Sequence, residues 1–196
     1  MRTYIYNINK INSNIESLIK NKYPKRYESA KRLKNHNDYL RSIGAFYLLD
    51  TILGVFNEED YITSLNGKPY INGKNEFSIS HCGELVSLIV SDKPIGLDIQ
   101  IIEDKVPSNL NKICSNEEIE QINNKNEMFF MAWTRKEAII KLLGESILSK
   151  IKDINTTNDI VKHNGSIIYL CSAKYKDSYI SIAYYEPVTI ELIECE

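Results

Sequence analysis

Two short segments of the chain carry side chains at spacings that suit the binding of a hard cation. In KPIGLDIQII, Asp98 and Gln100 alternate with apolar residues, so a strand would present both on one face. In FFMAWTRKEAIIKLLG, Glu137 and Lys141 are four residues apart and share one face of a predicted helix. Oxygen ligands without histidine or cysteine favour Mg²⁺ or Mn²⁺ over zinc, and Mg²⁺ usually takes a further ligand from a substrate phosphate. The pattern therefore predicts a phosphate ester or pyrophosphate as ligand, with Lys141 as a point charge beside it.

Both segments also have an ordinary structural explanation. A half-exposed strand often has a polar face, and a glutamate followed by a lysine four residues later is a common surface ion pair. Glu137, however, stands in a helical stripe of apolar residues, where an unpaired buried carboxylate is costly. Gly96, next to Asp98 on the same strand face, would admit a close approach. The stripe consists of Phe129, Trp133, Ile140 and Leu143.

Three further segments could contact phosphate. FSISHCGE places Ser80 and His81 at a predicted strand end before a glycine, where a histidine and backbone N–H groups can bind an anion. A structural histidine in a loop is the alternative. GKP places Lys68 and Pro69 on a stiff turn, which is weak evidence by itself. A basic cluster over 25–34, with Arg41 further on, is either a solvated helix face or the site of a terminal phosphate.

The composition excludes several classes of protein. The 196 residues have a net charge of −2, which gives no general attraction to nucleic acid or to a membrane surface. None of the four cysteines forms a CxxC pair, so we expect reduced thiols and no zinc site. No apolar run is long enough to span a bilayer and the first residues lack a signal core, so we expect a cytoplasmic protein.

The order of predicted elements indicates an α+β fold rather than a doubly wound sheet. A boundary near Lys93 and Pro94 divides the chain into an N-terminal half, 1–93, and a C-terminal half, 94–196. NGKPYINGKN is expected to be a turn-rich loop. The main predicted elements are a strand over 3–8, helices over 15–20, 38–53, 116–121 and 129–144, two strands within 77–90, and strands over 95–102, 158–162, 166–173 and 178–185.

Together these segments resemble the 4′-phosphopantetheinyl transferases of the Sfp type. Each match is weak alone, but the order and spacing are specific, and with the basic segment they cover roughly residues 24–145. The matching segments are GKPYI at 67–71, FSISHCG at 77–83, IGLDIQ at 95–100 and WTRKEAIIKLLG at 133–144.

The resemblance implies two similar α/β halves related by a pseudo-twofold axis, and a monomer rather than the trimer of the short holo-carrier-protein synthases. It implies transfer of phosphopantetheine from coenzyme A to a serine of an apo acyl or peptidyl carrier protein. Mg²⁺ is the implied metal, with Mn²⁺ possible, and adenosine 3′,5′-bisphosphate is the implied product. A non-catalytic module that binds coenzyme A or a carrier protein is the alternative, and an unrelated Mg²⁺-dependent phosphohydrolase is a third possibility.

The resemblance also assigns roles to residues. Asp98 and Glu137 match metal-binding acids, and Lys141 matches the motif lysine beside the reacting phosphates. Glu137 is the candidate base, and Lys141 and His81 stabilise charge. Where the family often has an acid, this chain has Gln100, a neutral oxygen donor. Coenzyme A contacts are implied for Lys68, Pro69, Ser80 and His81 and, more loosely, for Arg26, Lys31 and Arg41.

Overall fold

A computed structural model describes residues 1–144 and 148–196, and it divides them into two compact units. The first comprises Arg2–Lys93 and Glu191–Glu196, and the second comprises Met1 and Pro94–Ile190. The last six residues thus belong to the first unit, so the C-terminal half does not run to residue 196 as the sequence suggested. Helices and strands are mixed in both units, which confirms the predicted α+β class.

The N-terminal unit contains a four-stranded sheet in the order β10-β1-β5-β4 and three helices. β1 pairs antiparallel with β5 and parallel with β10, in the register Thr3↔Ile89 and Thr3↔Leu192. A separate two-stranded sheet is formed by β2 and β3. The elements are β1 Arg2–Asn7, α1 Ser13–Lys22, α2 Pro24–Lys31, α3 His36–Leu53, β2 Tyr61–Thr63, β3 Pro69–Ile71, β4 Glu76–Cys82, β5 Leu85–Ser91 and β10 Glu191–Glu194.

Local sequence signals explain the helices of this unit. α2 begins at Pro24, whose fixed φ and missing N–H suit the first helical position. α3 begins after Asn35, whose side chain accepts hydrogen bonds from the backbone N–H groups of Asn37 and Asp38. The buried residues of α3, including Ile43 and Leu48, join the apolar core that also contains residues of β1 and β5.

The C-terminal unit contains an antiparallel sheet in the order β6-β9-β8-β7. The long helix α6 packs on this sheet, with Ala138, Ile139 and Leu142 in one core with residues of β7, β8 and β9. The elements are β6 Gly96–Ile101, α4 Leu110–Ile113, α5 Asn116–Asn124, α6 Glu127–Leu143, β7 Ile160–His163, β8 Ser166–Tyr175 and β9 Ser178–Tyr184. Short 3₁₀ helices lie at Ile8–Lys10, Glu58–Asp60 and Leu148–Asp153.

Two predictions about elements differ from the structure. GKPYI, expected to be a loop, contains the short strand β3, which is compatible with its proline because the strand is at a sheet edge. The strand β10 was not predicted at all. The basic segment over 25–34, for which a solvated helix face was one of two interpretations, is largely the helix α2.

No helix within residues 1–144 and 148–196 is both long enough and apolar enough to cross a membrane.

Candidate functional site

The helix α6 presents different side chains to its two sides. Its buried face contains Phe130, Ala138, Ile139 and Leu142 and, in a continuous run, Thr134, Arg135 and Lys136. In the predicted apolar stripe only Phe129 is buried, whereas Trp133, Glu137, Ile140 and Leu143 are partly exposed. The apolar members of the stripe thus pack against the core with one side only, and Glu137 lies between them at the edge of the buried face.

Two glycines fix where α6 runs. Gly144 follows the last helical residue in a left-handed conformation (φ 63°), and its N–H bonds the carbonyl of Ile140, as a C-terminal cap does. Gly96 on β6 lies directly beneath the helix, because a Cβ built there would be 1.8 Å from the carbonyl oxygen of Ala138. The group that closely approaches Gly96 is thus the backbone of α6. This approach is possible because glycine has no side chain.

This approach brings Asp98 to the helix. Asp98 is the next residue on the same face of β6, and 6% of it is exposed. The Nζ of Lys141 donates a hydrogen bond to the Oδ1 of Asp98 at 2.8 Å. Three of the predicted residues, Asp98, Glu137 and Lys141, therefore form one group on β6 and α6.

Asp98 also interacts electrostatically with Glu137. Burial raises the pKa of the Glu137 carboxyl above its ordinary value, and the negative charge of Asp98 raises it further. The positive charge of Lys141 acts in the opposite direction. Two carboxylates held close together in a partly buried place are unfavourable unless a cation neutralises them, which makes this group chemically suited to a hard cation.

Gln100 is two residues beyond Asp98 on β6 and is partly exposed. It lines a groove of about 380 Å³ together with Glu103, Lys105, Val106, Pro107, Phe129, Phe130 and Trp133. Among the residues that the structure describes, no three histidine, cysteine, aspartate or glutamate side chains form a metal-binding cluster. Neither Asp98 nor Glu137 is among the residues that line the groove of Gln100.

A second polar group near α6 was not predicted from the sequence. Lys136 is fully buried, and its Nζ lies 3.0 Å from the Oε2 of Glu118 and donates to the carbonyl oxygens of Ile151 and Ile154. The other carboxylate oxygen of Glu118 accepts from the N–H and the hydroxyl of Thr156. These bonds tie α6 to the start of α5 and to the segment around 151–156. The capping box that Ser115 and Glu118 form is readable from their spacing, but the bond to Lys136 is not.

Arg135 and Thr134 add two further attachments on the buried face. The guanidinium of Arg135 donates to Ser172 Oγ at 2.9 Å, to the Thr156 carbonyl at 2.8 Å and to Asp159 Oδ1 at 2.6 Å. The hydroxyl of Thr134 lies 2.8 Å from that of Ser181, which is paired across the sheet with Asp98. Consecutive residues on α6 thus fix the helix against β8 and against β9, the strand that pairs with β6.

In the N-terminal unit, three of the predicted coenzyme A residues line one cavity of about 470 Å³: Arg26, Arg41 and His81. The guanidinium of Arg26 lies 4.4 Å from the centre of the Tyr61 ring, and it donates to the Tyr61 carbonyl. Arg41 donates to the carboxylate of Asp38 and to the Gly83 carbonyl. Two arginines therefore contribute positive charge to the lining of the cavity, and hydrogen bonds hold both of them in place.

The remaining predicted residues of this unit do not line that cavity. The Nζ of Lys31 lies over the Tyr27 ring at 5.8 Å from its centre. Lys68 lies just before Pro69, the first residue of β3, and its Nζ is 3.9 Å from Glu76 Oε2. Burial lowers the pKa of Lys68, and Glu76 only partly offsets this. Ser80 is buried, whereas its neighbour His81 is exposed, as expected for adjacent residues of β4.

Comparison with known protein families gives a match to the C-terminal unit. Residues 94–185 match the family model described as the 4′-phosphopantetheinyl transferase superfamily, and they contain Asp98, Gln100, Glu137 and Lys141. The segment 94–185 thus matches the superfamily that the motifs predicted.

Several curated proteins are similar to the chain, and each is named a 4′-phosphopantetheinyl transferase, the enzyme class predicted. The protein gsp of Aneurinibacillus migulanus is 30% identical over 146 residues, which are 66% of this chain and 61% of gsp. The protein psf-1 of Bacillus pumilus is 33% identical over 92 residues, 43% of this chain and 40% of psf-1. A relative from Bacillus subtilis is 31% identical over 88 residues, 41% of this chain and 39% of its own. The matches thus span less than two thirds of each relative's length.

Proposed function

We propose that the chain transfers the 4′-phosphopantetheine group of coenzyme A to a serine of an apo acyl or peptidyl carrier protein. The observation that carries the proposal is the convergence of Asp98, Glu137 and Lys141 within the segment that matches the superfamily. We assign the Sfp type because gsp and psf-1 are among the similar proteins. The pseudo-twofold arrangement expected for that type, a monomeric state and a cytoplasmic location are parts of the same proposal.

Asp98 and Glu137 are the proposed charged ligands of a divalent cation, and Gln100 is the proposed neutral one. Mg²⁺ at this group, or Mn²⁺, would neutralise the charge of the coenzyme A pyrophosphate. Lys141 adds a positive charge for a phosphate oxygen.

For the rest of coenzyme A, we assign the charged nucleotide end to the basic cavity lined by Arg26, Arg41 and His81. Lys31, Lys68, Pro69 and Ser80 are proposed as further contacts. The support for these assignments is the resemblance of GKPYI and FSISHCG to the family motifs, together with the basic character of the cavity.

In the proposed reaction, the hydroxyl oxygen of the carrier serine forms a bond to the β-phosphorus of coenzyme A. The bond from that phosphorus to the bridging oxygen breaks, and adenosine 3′,5′-bisphosphate leaves with the electron pair. The serine proton passes to Glu137, directly or through a water molecule. A carboxylate that binds a cation is a weak base, so the role of Glu137 as metal ligand is proposed first and its role as base second.

The test is a transfer assay with the purified chain, coenzyme A, Mg²⁺ and an apo carrier protein, followed by mass spectrometry of the carrier. We expect a gain of one phosphopantetheine group, and no gain when the carrier serine is replaced by alanine. A panel of fatty-acid, polyketide and nonribosomal-peptide carrier proteins, assayed side by side, identifies the preferred acceptor. Breakdown of coenzyme A without any carrier protein would instead indicate a phosphohydrolase.

A non-catalytic module that binds coenzyme A or a carrier protein is the second candidate. The observation that favours it is Gln100, because a neutral residue replaces a charged ligand at the proposed metal group. Binding of coenzyme A or of the carrier protein without any mass gain, under conditions where an established transferase modifies the same carrier, would support the module and refute the enzyme.

A further inference from the structure

The ion pair between Lys141 and Asp98 occupies the carboxylate that the proposed function assigns to the metal. The two side chains are 28% and 8% exposed, so the pair is only partly screened by solvent. Its hydrogen bond of 2.8 Å has the length of a charge-assisted bond. A cation that binds Asp98 must therefore share or replace a strong existing contact.

The surroundings of Lys141 allow it to leave. Lys136, on the same helix, is fully buried and bonds a carboxylate and two carbonyls. Lys141 is partly exposed, and within the described residues its hydrogen bond goes to Asp98. Lysine has a flexible four-carbon stem, so Lys141 can turn to another anion without disturbing α6.

We propose that Lys141 and a divalent cation exchange at Asp98, so that the lysine serves as the counter-ion of the carboxylates until the metal binds. This inference rests on the proposed function and describes how its site is controlled. A divalent cation bonded to Asp98 at about 2.0–2.1 Å would lie within a few ångströms of the ammonium, and the two would repel each other. Lys141 is then released from Asp98, and the phosphate that accompanies the metal is the anion to which it turns.

The exchange predicts that Lys141 weakens metal binding to the protein without coenzyme A. Removing its charge removes one competitor of the metal for the Asp98 carboxylate. A hydrogen bond between charged groups contributes about 1.5–3 kcal/mol, so the expected gain in metal affinity is roughly ten- to a hundredfold. A positively charged residue at a proposed catalytic site would thus oppose, rather than assist, the first binding step.

The experiment is a Mn²⁺ titration of the purified full chain without coenzyme A, with free Mn²⁺ measured by electron paramagnetic resonance. Lys141→Met is expected to bind Mn²⁺ at least about tenfold more tightly than the wild type. Lys141→Arg keeps the charge and is expected to stay near the wild-type affinity. Lys162→Met is the matched control, because Lys162 is an exposed lysine on β7 and its loss changes the net charge equally.

Each result decides the proposal. If Lys141→Met binds Mn²⁺ no more tightly than Lys162→Met, or if neither variant binds it, the exchange is wrong. The transfer assay on the wild type, run in parallel, separates this failure from a failure of the proposed function. Transfer by the wild type with no gain in Lys141→Met refutes only the exchange. A gain in Lys141→Met without wild-type transfer supports the exchange and refutes the transferase.

Discussion

The two sides of α6 carry similar residue types but use them differently. On the buried side, Lys136 has a carboxylate and two carbonyls as partners, and none of its side chain is exposed. On the other side, Lys141 is partly exposed and bonds Asp98. A cation surrounded by fixed acceptors can only stabilise the fold, whereas one at the edge of the core can exchange partners. The sequence motif TRKEAIIK thus combines residues that fix the helix with residues that are available for chemistry.

The contrast between Lys136 and Lys141 is tested most strongly by the variant Lys136→Met. This change leaves the carboxylate of Glu118 buried without its counter-ion, and removing one partner of a buried pair destabilises proteins by about 3–5 kcal/mol. The loss is measured by denaturant unfolding followed through the fluorescence of Trp133, which is the only tryptophan and lies on α6. We expect the double variant Lys136→Met/Glu118→Gln to recover part of the loss.

Lys174→Met is the control for this prediction. Lys174 pairs with Glu127 at the start of the same helix, but Lys174 lies at the surface and Glu127 is partly exposed, and such ion pairs contribute little. We expect a much smaller loss of stability than in Lys136→Met. Equal losses of stability in the two variants would show that the buried pair of Lys136 contributes no more to stability than the exposed pair of Lys174.

On the other side of the helix, Glu137→Gln is expected to lower kcat of phosphopantetheine transfer by at least about a hundredfold. Loss of residues that merely support metal ligands already costs about ten- to a hundredfold, and Glu137 is proposed as a ligand itself. The fold should remain intact, because glutamine fills the same space. Near wild-type turnover in this variant would show that Glu137 is not a ligand of the metal.

The same variant has a pH signature. The pKa of Glu137 is raised in the folded protein, so its ionised form destabilises the fold above that pKa. The wild type should therefore gain stability as the pH falls through the raised folded pKa toward the ordinary value of an unfolded glutamate. The free energy of unfolding, measured over this pH range, should show the increase caused by protonation of Glu137 in the wild type. The increase should be missing in Glu137→Gln. Identical pH profiles would mean that the pKa of Glu137 is not raised by its burial and by Asp98 as described.

A residue outside α6 should affect binding rather than turnover. His81→Ala removes a side chain from the basic cavity of the N-terminal unit, and we expect the KM for coenzyme A to rise roughly ten- to a hundredfold while kcat changes little. Lys68→Ala should act in the same direction. His163→Ala on β7 is the matched control. If both His81→Ala and Lys68→Ala keep the wild-type KM, the nucleotide end of coenzyme A does not bind at these residues of the N-terminal unit.

Local signals were enough to predict the framework of the site from the sequence. The strict alternation of apolar residues around Asp98 predicts β6, and the composition of the segment that ends at Gly144 predicts α6 and its cap. The convergence of Asp98 and Glu137 followed from the family resemblance, and the short distance of Gly96 from α6 gives its physical basis.

Features that depend on distant partners were not predictable. Lys136 and Lys141 look alike in sequence, and which one is buried is decided by partners such as Glu118 and Ile154. For the same reason the burial of the polar residues Thr134, Arg135 and Lys136 on α6 could not be predicted, since their partners are distant in sequence. The strand β10 pairs with β1 from the opposite end of the chain, and a four-residue segment holds no local signal for that partner.

The smallest expected effect concerns Gln100, where the chain departs from the acid common in its family. Affinity at oxygen-ligand sites increases with the number of charged ligands, and Asp98 and Glu137 supply two charges where a third acid would add another. Gln100→Glu should therefore lower the Mg²⁺ concentration that gives half-maximal transfer, by up to about tenfold, at saturating coenzyme A. Gln121→Glu, on the exposed surface of α5, adds the same charge elsewhere and should leave the requirement unchanged. If Gln100→Glu needs as much Mg²⁺ as the wild type, or more, Gln100 does not contact the metal. Asp98 and Glu137 would then be the only protein ligands proposed, and the role of Lys141 as their counter-ion would be correspondingly larger.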